Sequence, residues 1–225
     1  MILGSATWSE LADLAATSTL VIPLGATEQH GPHLPLSTDT DIAVAVAVAL
    51  AERRPYVVVA PALAYGSSGE HSGFPGTLSI GQDAFEHVVI ELVRSAGAFA
   101  AVVLVSGHGG NLGPLGRAVR TLQGEGRRVV VWTPSGTVDA HAGRSETSMA
   151  LALDSDQVRL EAAEPGDTRP LGELLPILRA EGVRGVSANG VLGDPTGATA
   201  EEGRTLLAAL VADLVDVVDR MAVDA

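Results

Sequence analysis

The sequence predicts an α/β protein with a mostly parallel sheet and helices on both faces, a three-layer sandwich formed by one domain over residues 1–225. Short runs rich in Val, Ile and Leu alternate with longer helical stretches, and Gly and Pro separate them. This repeated strand–helix–strand order is typical of parallel strands joined by right-handed crossovers. A length of 225 residues with 46% apolar content suits one such core.

The first strand is expected at residues 19–24, an apolar run, and the first long helix at residues 39–53. The alternating Ala and Val of residues 43–49 has the period of a strand. A helix is favoured there because Ala is the strongest helix former. Arg54-Pro55 ends this helix, since proline cannot continue one, and the second strand follows at residues 56–60.

The later elements repeat this order after a Gly-rich loop. Helix 82–97, strand 100–106, helix 111–123 and strand 128–133 are expected in turn. A further helix is expected to begin near Glu146, and the last helix at Thr199, where Thr199 and Glu202 match the capping-box pattern. The apolar stripe of the last helix indicates packing and not chemistry.

The composition excludes several kinds of chemistry and partner. All 14 basic residues are Arg, so the chain has neither Lys nor Cys. Schiff-base amines, thiol nucleophiles and thiolate metal sites are therefore excluded, and any metal must be bound by His, Asp and Glu. The net charge of −13 argues against nucleic acid and anionic membranes as partners. Without a basic amino-terminal segment or an apolar run of about 20 residues, a cytoplasmic location is expected.

The histidines concentrate in the loops that follow the four strands. In this architecture ligands bind beyond the carboxyl ends of the strands, so these loops share the edge where a site is expected. Only His87 lies apart, on a helix, where we expect it to be exposed. The loops contain Glu28-Gln29-His30, Glu70-His71, His108-Gly109-Gly110-Asn111, and His141 with Glu146.

The residue types and spacings in these loops predict a metal centre. Glu28 and His30 are two positions apart, so on an extended backbone both side chains point the same way and can bind one centre. Asp39 begins a helix, where an acid is favoured anyway. Beside Glu28, His30 and His108, however, it is better explained as a ligand that bridges two ions. Together with Glu146, the carboxylates would offset most of the charge of two divalent ions.

The residues by themselves leave some roles open. Of His141 and Glu146, one can be a ligand and the other a proton carrier. Glu70-His71 can line a substrate pocket or contact a neighbouring subunit, and Asn111 can cap a helix or line the pocket. For His33 we expect orientation of the loop or of a ligand, and not direct coordination.

These loops resemble the creatininase family of metal-dependent amidohydrolases. The resemblance implies the creatininase fold, and two divalent ions per subunit, Zn and/or Fe and possibly Mn. One ion would be held by Glu28, Asp39 and His108, the other by His30 and Asp39. Creatinine-hydrolysing enzymes carry an acid where this chain has Gly110, which leaves Glu146 as the candidate for the missing ligand. The motifs are Glu28-Gln29-His30-Gly31-Pro32-His33, Glu70-His71, Phe74-Pro75-Gly76-Thr77, Gly107-His108-Gly109-Gly110-Asn111, and His141-Ala142-Gly143 with Glu146-Thr147-Ser148.

The resemblance also implies a reaction. Residues 186–199 are similar to the mycofactocin-system branch of the family. This implies hydrolysis of a peptide bond near the carboxyl terminus of a modified precursor peptide, releasing a Val-Tyr-derived fragment, by a homo-oligomer (hexamer or octamer). His141 would be the general acid and base, with Glu146 as a second catalytic residue. Substrate binding is expected from Glu70, His71, Gly109, Gly110 and Asn111.

Two other functions remain as alternatives. The same metal centre would serve an amidohydrolase acting on a small cyclic amide or formamide. A non-catalytic assembly protein with structural metals is less favoured, because structural sites are closed by protein ligands whereas these loops are Gly-rich and open.

Overall fold

The computed structural model describes residues 1–134 and 139–223, with side chains to residue 221. Four parallel strands form a sheet in the order β2-β1-β3-β4. The strands are β1 (Thr19–Leu24), β2 (Val57–Val59), β3 (Ala101–Ser106) and β4 (Val129–Trp132). The α-helices in the described residues are α1 (Trp8–Leu11), α2 (Thr38–Arg53), α3 (Gln82–Ser95), α4 (Leu112–Gly124), α5 (Arg144–Leu153), α6 (Leu171–Val186) and α7 (Ala200–Val223).

Both faces of the sheet are covered by helices, which confirms the predicted three-layer sandwich. On one face Val21 and Val103 pack with the apolar sides of α2 and α7. On the other face Leu20 and Leu104 pack with α3 and α4. Because successive strand residues point to opposite faces and both faces are buried, the strands are continuous apolar runs. Because all four strands are parallel, their carboxyl ends meet at one edge of the sheet.

The predicted strands and helices are confirmed to within about two residues at their ends, the usual uncertainty of element boundaries. Helix α6 was not predicted, because it contains Pro176 and is interrupted at Gly182, where φ is 70°. Its stability comes from packing, since Leu174 and Val183 are buried against Leu192. Among residues 1–134 and 139–223, no helix has both the length and the apolar character needed to cross a membrane.

The start of α7 realises only half of the predicted capping box. The hydroxyl of Thr199 accepts a hydrogen bond from the Glu202 backbone N–H at 3.2 Å. The Thr199 N–H, however, donates to the Ser148 hydroxyl, and the Glu202 carboxylate pairs with Arg144 at 2.8 Å. The amino terminus of α7 is thus bonded to α5, the helix that carries Glu146.

Candidate metal centre

Residues from four separate loops converge at the carboxyl edge of the sheet. The side chains of Glu28, Asp39 and His108 are at most 5% exposed. The rings of His30 and His141, which are 111 positions apart in the sequence, have centroids 4.3 Å apart. The residues predicted from separate motifs therefore form one buried cluster.

Glu28, Asp39 and His108 form the first group of potential ligands. His108 Nδ1 lies 3.2 Å from Glu28 Oε1 and 3.3 Å from Asp39 Oδ2. His108 Nε2 donates a hydrogen bond to the Ser67 carbonyl at 3.0 Å, so its Nδ1 lone pair is the one that faces the carboxylates. A Cβ at Gly107 would overlap the Asp39 carbonyl, so glycine permits this approach.

His30, His141 and Glu146 form a second group, with ligand atoms within 4.8 Å of one another. His30 Nδ1 donates to the Glu28 carbonyl at 3.1 Å, and His141 Nε2 donates to the Gln29 carbonyl at 2.8 Å. Each histidine therefore directs its other nitrogen into the cluster. Asp39 Oδ1 lies 3.1 Å from His30 Nε2 and its Oδ2 faces the first group, so this carboxylate stands between the two groups.

Unpartnered buried atoms show that the cluster fits divalent cations. Both carboxylate oxygens of Glu28 and Oδ2 of Asp39 are buried without a hydrogen-bond partner. A buried carboxylate without a counter-charge costs several kcal/mol, so a cation is required nearby. Because His30 Nδ1 already carries a hydrogen, the gap between His30 Nε2 and Asp39 Oδ1 must hold a second proton or a metal ion. The nitrogen and oxygen donors suit Zn, Fe or Mn.

Protons occupy some of these positions in the metal-free protein. Burial by itself would lower the pKa of His30. The charge and hydrogen bond of Asp39, together with the charges of Glu146 and Glu28, outweigh it and raise the pKa to about 10. Burial raises the pKa of Glu146 to about 7, with Asp39 adding to the effect. Metal binding must therefore displace protons, because a ligand uses the lone pair that the proton holds.

This competition predicts a pH-dependent affinity for metal. Between about pH 8 and pH 6, Glu146 gains a proton that a metal ion must remove, so the apparent affinity of the metal-free protein for Zn²⁺ is expected to fall. Competition with a chelating dye measures the affinity. Calorimetry in two buffers of different ionisation enthalpy should detect proton release on binding. A constant affinity without proton release would contradict this assignment of protons.

Other predicted residues occupy more specific positions than the sequence indicated. His71 is only 3% exposed, and its Nε2 lies 3.2 Å from Glu28 Oε1, so it lies within the cluster. With Glu28 and His141 it forms a third group of potential ligands. The Asn111 amide accepts from Ser67 N–H at 2.9 Å and donates to the Gly25 carbonyl at 3.1 Å. Its side chain therefore joins two loops and does not cap α4, and its role in substrate binding stays a prediction.

Gly110 stands where the resemblance implies an acid in creatinine-hydrolysing enzymes. A Cβ at this position would overlap Glu70 Oε1, the Ser67 carbonyl and His108 Nε2. The Glu70 carboxylate occupies this space, with Oε1 3.5 Å from His108 Nε2 and the side chain 32% exposed. An acidic side chain at position 110 thus has no room in this arrangement. A Cβ at Gly109, by contrast, would have no neighbour within 4 Å, so its backbone is open to a substrate.

His33 and His87 lie outside all three groups of potential ligands. His33 is fully buried and its Nε2 lies 2.8 Å from the Thr147 hydroxyl, which connects the first loop to α5. His87 is exposed on α3, as expected.

The sequence analysis missed the role of Gln29. On an extended backbone, a residue between Glu28 and His30 is expected to point away from them. The side-chain nitrogen Nε2 of Gln29 instead lies 2.9 Å from His71 Nδ1 and 3.1 Å from His141 Nε2. Its position between two predicted ligands was the one signal available.

The protein is a parallel α/β sandwich with a cluster of histidines and carboxylates at the carboxyl ends of its strands. This combination is typical of metal-dependent hydrolases. The family model for creatininase, described as creatinine amidohydrolase, matches residues 4–218. The chain belongs to the creatininase family and is a hydrolase of amide bonds.

Individual relatives agree with this assignment. The mycofactocin precursor peptide peptidase of Mycobacterium tuberculosis is 50% identical over 225 residues, which cover 95% of this chain and 88% of the relative. A solved mutant creatininase of the Zn-Zn type has a TM-score of 0.79 at 29% identity, covering 97% of both chains. A solved creatininase with Mn has a TM-score of 0.80 at 28% identity, also covering 97% of both.

Proposed function

We propose that this chain is a metal-dependent peptidase that hydrolyses a peptide bond near the carboxyl terminus of the modified mycofactocin precursor peptide. The released product would be the Val-Tyr-derived fragment. The observation that carries the proposal is the 50% identity to a mycofactocin precursor peptide peptidase over 95% of this chain. A cytoplasmic homo-oligomer, hexamer or octamer, with each chain a single domain over residues 1–225, stays a prediction.

The shape of the site supports a peptide as substrate. Two cavities of about 560 and 850 Å³ both reach His108, Gly109 and Leu112. The larger cavity continues along α6, and the smaller one passes Glu146 and the segment around Asp167. A chain with residues on both sides of the scissile bond can use both cavities, whereas a small cyclic amide would occupy a fraction of one.

Two divalent ions would be held by the cluster described above, with Asp39 in place of His141 among the ligands of the second ion. We assign Glu28, Asp39 and His108 to one ion, and His30, Asp39 and Glu146 to the other. Such ions polarise a carbonyl and lower the pKa of water toward neutrality. The unpartnered oxygens of Glu28 and Asp39 support this assignment, because a cation supplies the partner that each lacks.

His141 is the residue we assign to proton transfer. Its Nε2–H is held by the Gln29 carbonyl at 2.8 Å, so Nδ1 is the nitrogen available to reacting groups. Burial and the nearby charge of His30 hold the pKa of His141 well below its ordinary value, which favours the neutral, proton-accepting form. Nδ1 would accept a proton from the attacking water and then donate it to the departing amine nitrogen.

The substrate side of the cleft would combine backbone and side-chain groups. Gly109 leaves the backbone beside His108 accessible, and Glu70 presents a partly exposed carboxylate next to His108. Gly110 and His71 line the same cavity.

The test is to compare substrates on the metal-loaded protein. Incubation with the decarboxylated, crosslinked precursor peptide should yield the shortened peptide and the released fragment, followed by mass spectrometry. The unmodified precursor and creatinine serve as matched comparisons and should be turned over slowly or not at all. Turnover of creatinine without turnover of the modified peptide would replace the proposal with the small-amide alternative.

A further inference from the structure

The four histidines of the cluster are held in two opposite ways. His30, His108 and His141 each donate one N–H to a backbone carbonyl, from Glu28, Ser67 and Gln29 respectively. Their other nitrogens face the cluster, where each can offer a lone pair to a metal ion once any proton on it is released. The fourth, His71, has no carbonyl partner for its ring within residues 1–134 and 139–221. Its Nδ1 lies 2.9 Å from the side-chain nitrogen of Gln29.

Two backbone groups determine the orientation of the Gln29 amide. Gln29 Oε1 lies 2.8 Å from the Gly31 N–H, and Nε2 lies 3.0 Å from the Gly190 carbonyl. If Oε1 and Nε2 of Gln29 were exchanged, the amide NH₂ would face the Gly31 N–H and the amide oxygen would face the Gly190 carbonyl. Neither pair can form a hydrogen bond. Gly190 itself has φ of 82°, and a Cβ there would overlap the Gln29 amide, so the loop before α7 is shaped around this side chain.

The second N–H of Gln29 then has a single acceptor. His141 Nε2 lies 3.1 Å away, but it carries a hydrogen because it donates to the Gln29 carbonyl. His71 Nδ1 must therefore accept, since a hydrogen there would oppose the amide hydrogen. The imidazole proton of His71 is consequently on Nε2, which lies 3.2 Å from Glu28 Oε1.

We propose that Gln29 is a positioning residue that keeps His71 in the tautomer with its proton on Nε2. A nitrogen with a hydrogen cannot ligate a metal, so His71 presents positive potential to Glu28 and does not compete with His30 and His108 for the ions. This inference rests on the proposed metal centre. It gives the otherwise unexplained glutamine between Glu28 and His30 a defined role.

The test is ¹⁵N spectroscopy of histidine-labelled, metal-free protein, which distinguishes protonated from unprotonated ring nitrogens. In the wild-type protein, His71 should show a protonated Nε2 and an unprotonated Nδ1. Gln29→Glu places a carboxylate, which only accepts, against Nδ1, so this nitrogen should become protonated. The His71 resonances are assigned by their loss in His71→Asn.

The peptidase activity of Gln29→Glu should fall together with the change in His71 protonation. His71 is an outer neighbour of Glu28, an assigned ligand, and such neighbours typically contribute about 10–100-fold to activity or affinity. Because Gln29 acts through His71, kcat of Gln29→Glu is expected to fall by about tenfold or more. Gln123→Glu is the matched control, because Gln123 also donates to a backbone carbonyl, that of Val129 at 3.0 Å, but at the carboxyl-terminal end of α4. It should keep the wild-type His71 signals and kcat.

A wild-type His71 protonated on Nδ1 would overturn the inference without any variant being made. An unchanged Nδ1 in folded Gln29→Glu would overturn it as well. The spectroscopic result needs no substrate. A confirmed tautomer combined with no cleavage of the modified peptide would therefore reject the proposed function alone.

Discussion

Replacing Asp39 by asparagine is expected to remove metal from both positions and to lower the rate of peptide hydrolysis by roughly a thousandfold or more, since a Lewis-acid cation contributes several kcal/mol. Asp39 is the carboxylate that we assign to both ions, with Oδ1 3.1 Å from His30 Nε2 and Oδ2 3.3 Å from His108 Nδ1. An amide keeps the shape of the side chain but loses its negative charge and one acceptor oxygen. Metal analysis of the dialysed protein, with kcat on the modified peptide, measures both effects.

Asp41→Asn is the matched control for this substitution. Asp41 lies in the same first turn of α2, but it is exposed and its carboxylate accepts a hydrogen bond from the Ser37 hydroxyl. It should retain the wild-type metal content and activity. Two ions per chain in correctly folded Asp39→Asn would show that our ligand assignment is wrong.

Replacing His141 by alanine is expected to lower kcat by about 10²–10⁴-fold, the usual contribution of a positioned acid–base group, while two ions stay bound. The reason is that the assigned ligands, Glu28, Asp39, His108, His30 and Glu146, do not include His141. The same measurement decides the alternative, because His141 also lies within ligand distance of His30 and Glu146. Loss of one ion in His141→Ala would make this histidine a ligand and not the proton carrier.

Two further variants sharpen the result for His141. Glu146→Gln should lower the metal content, since it removes the charge of an assigned ligand. His87→Ala removes an exposed imidazole from α3 and should change neither metal content nor kcat. If Glu146→Gln keeps both ions while His141→Ala loses one, the two assigned roles are exchanged.

Much of the fold could be predicted because local and tertiary preferences agree. The strand at residues 19–24 was predicted with the bounds that the structure has, since an apolar run buried on both faces is a strand by composition and by packing. Helix α6 could not be predicted in this way. Pro176 and Gly182 disfavour a helix locally, and burial of Leu174 and Val183 compensates only in the folded protein.

The candidate site was predictable in its members but not in its contacts. Glu28 and His30 were identified by their spacing, and the other loops by their place after strands. Gly110 illustrates the limit. The sequence showed that an acid is missing there, but only the structure shows that Glu70 occupies the space.

The sequence by itself determined the fold class, the family and the chemical types of the potential ligands, because apolar periodicity and loop motifs are local properties. Only the tertiary structure decided which nitrogen of each histidine faces the cluster. That choice depends on carbonyl and amide partners from distant segments, such as Ser67 for His108, and Gln29 held by Gly190 for His71. Hydrogen-bond polarity is set by three-dimensional neighbours, and no pattern along the chain records it.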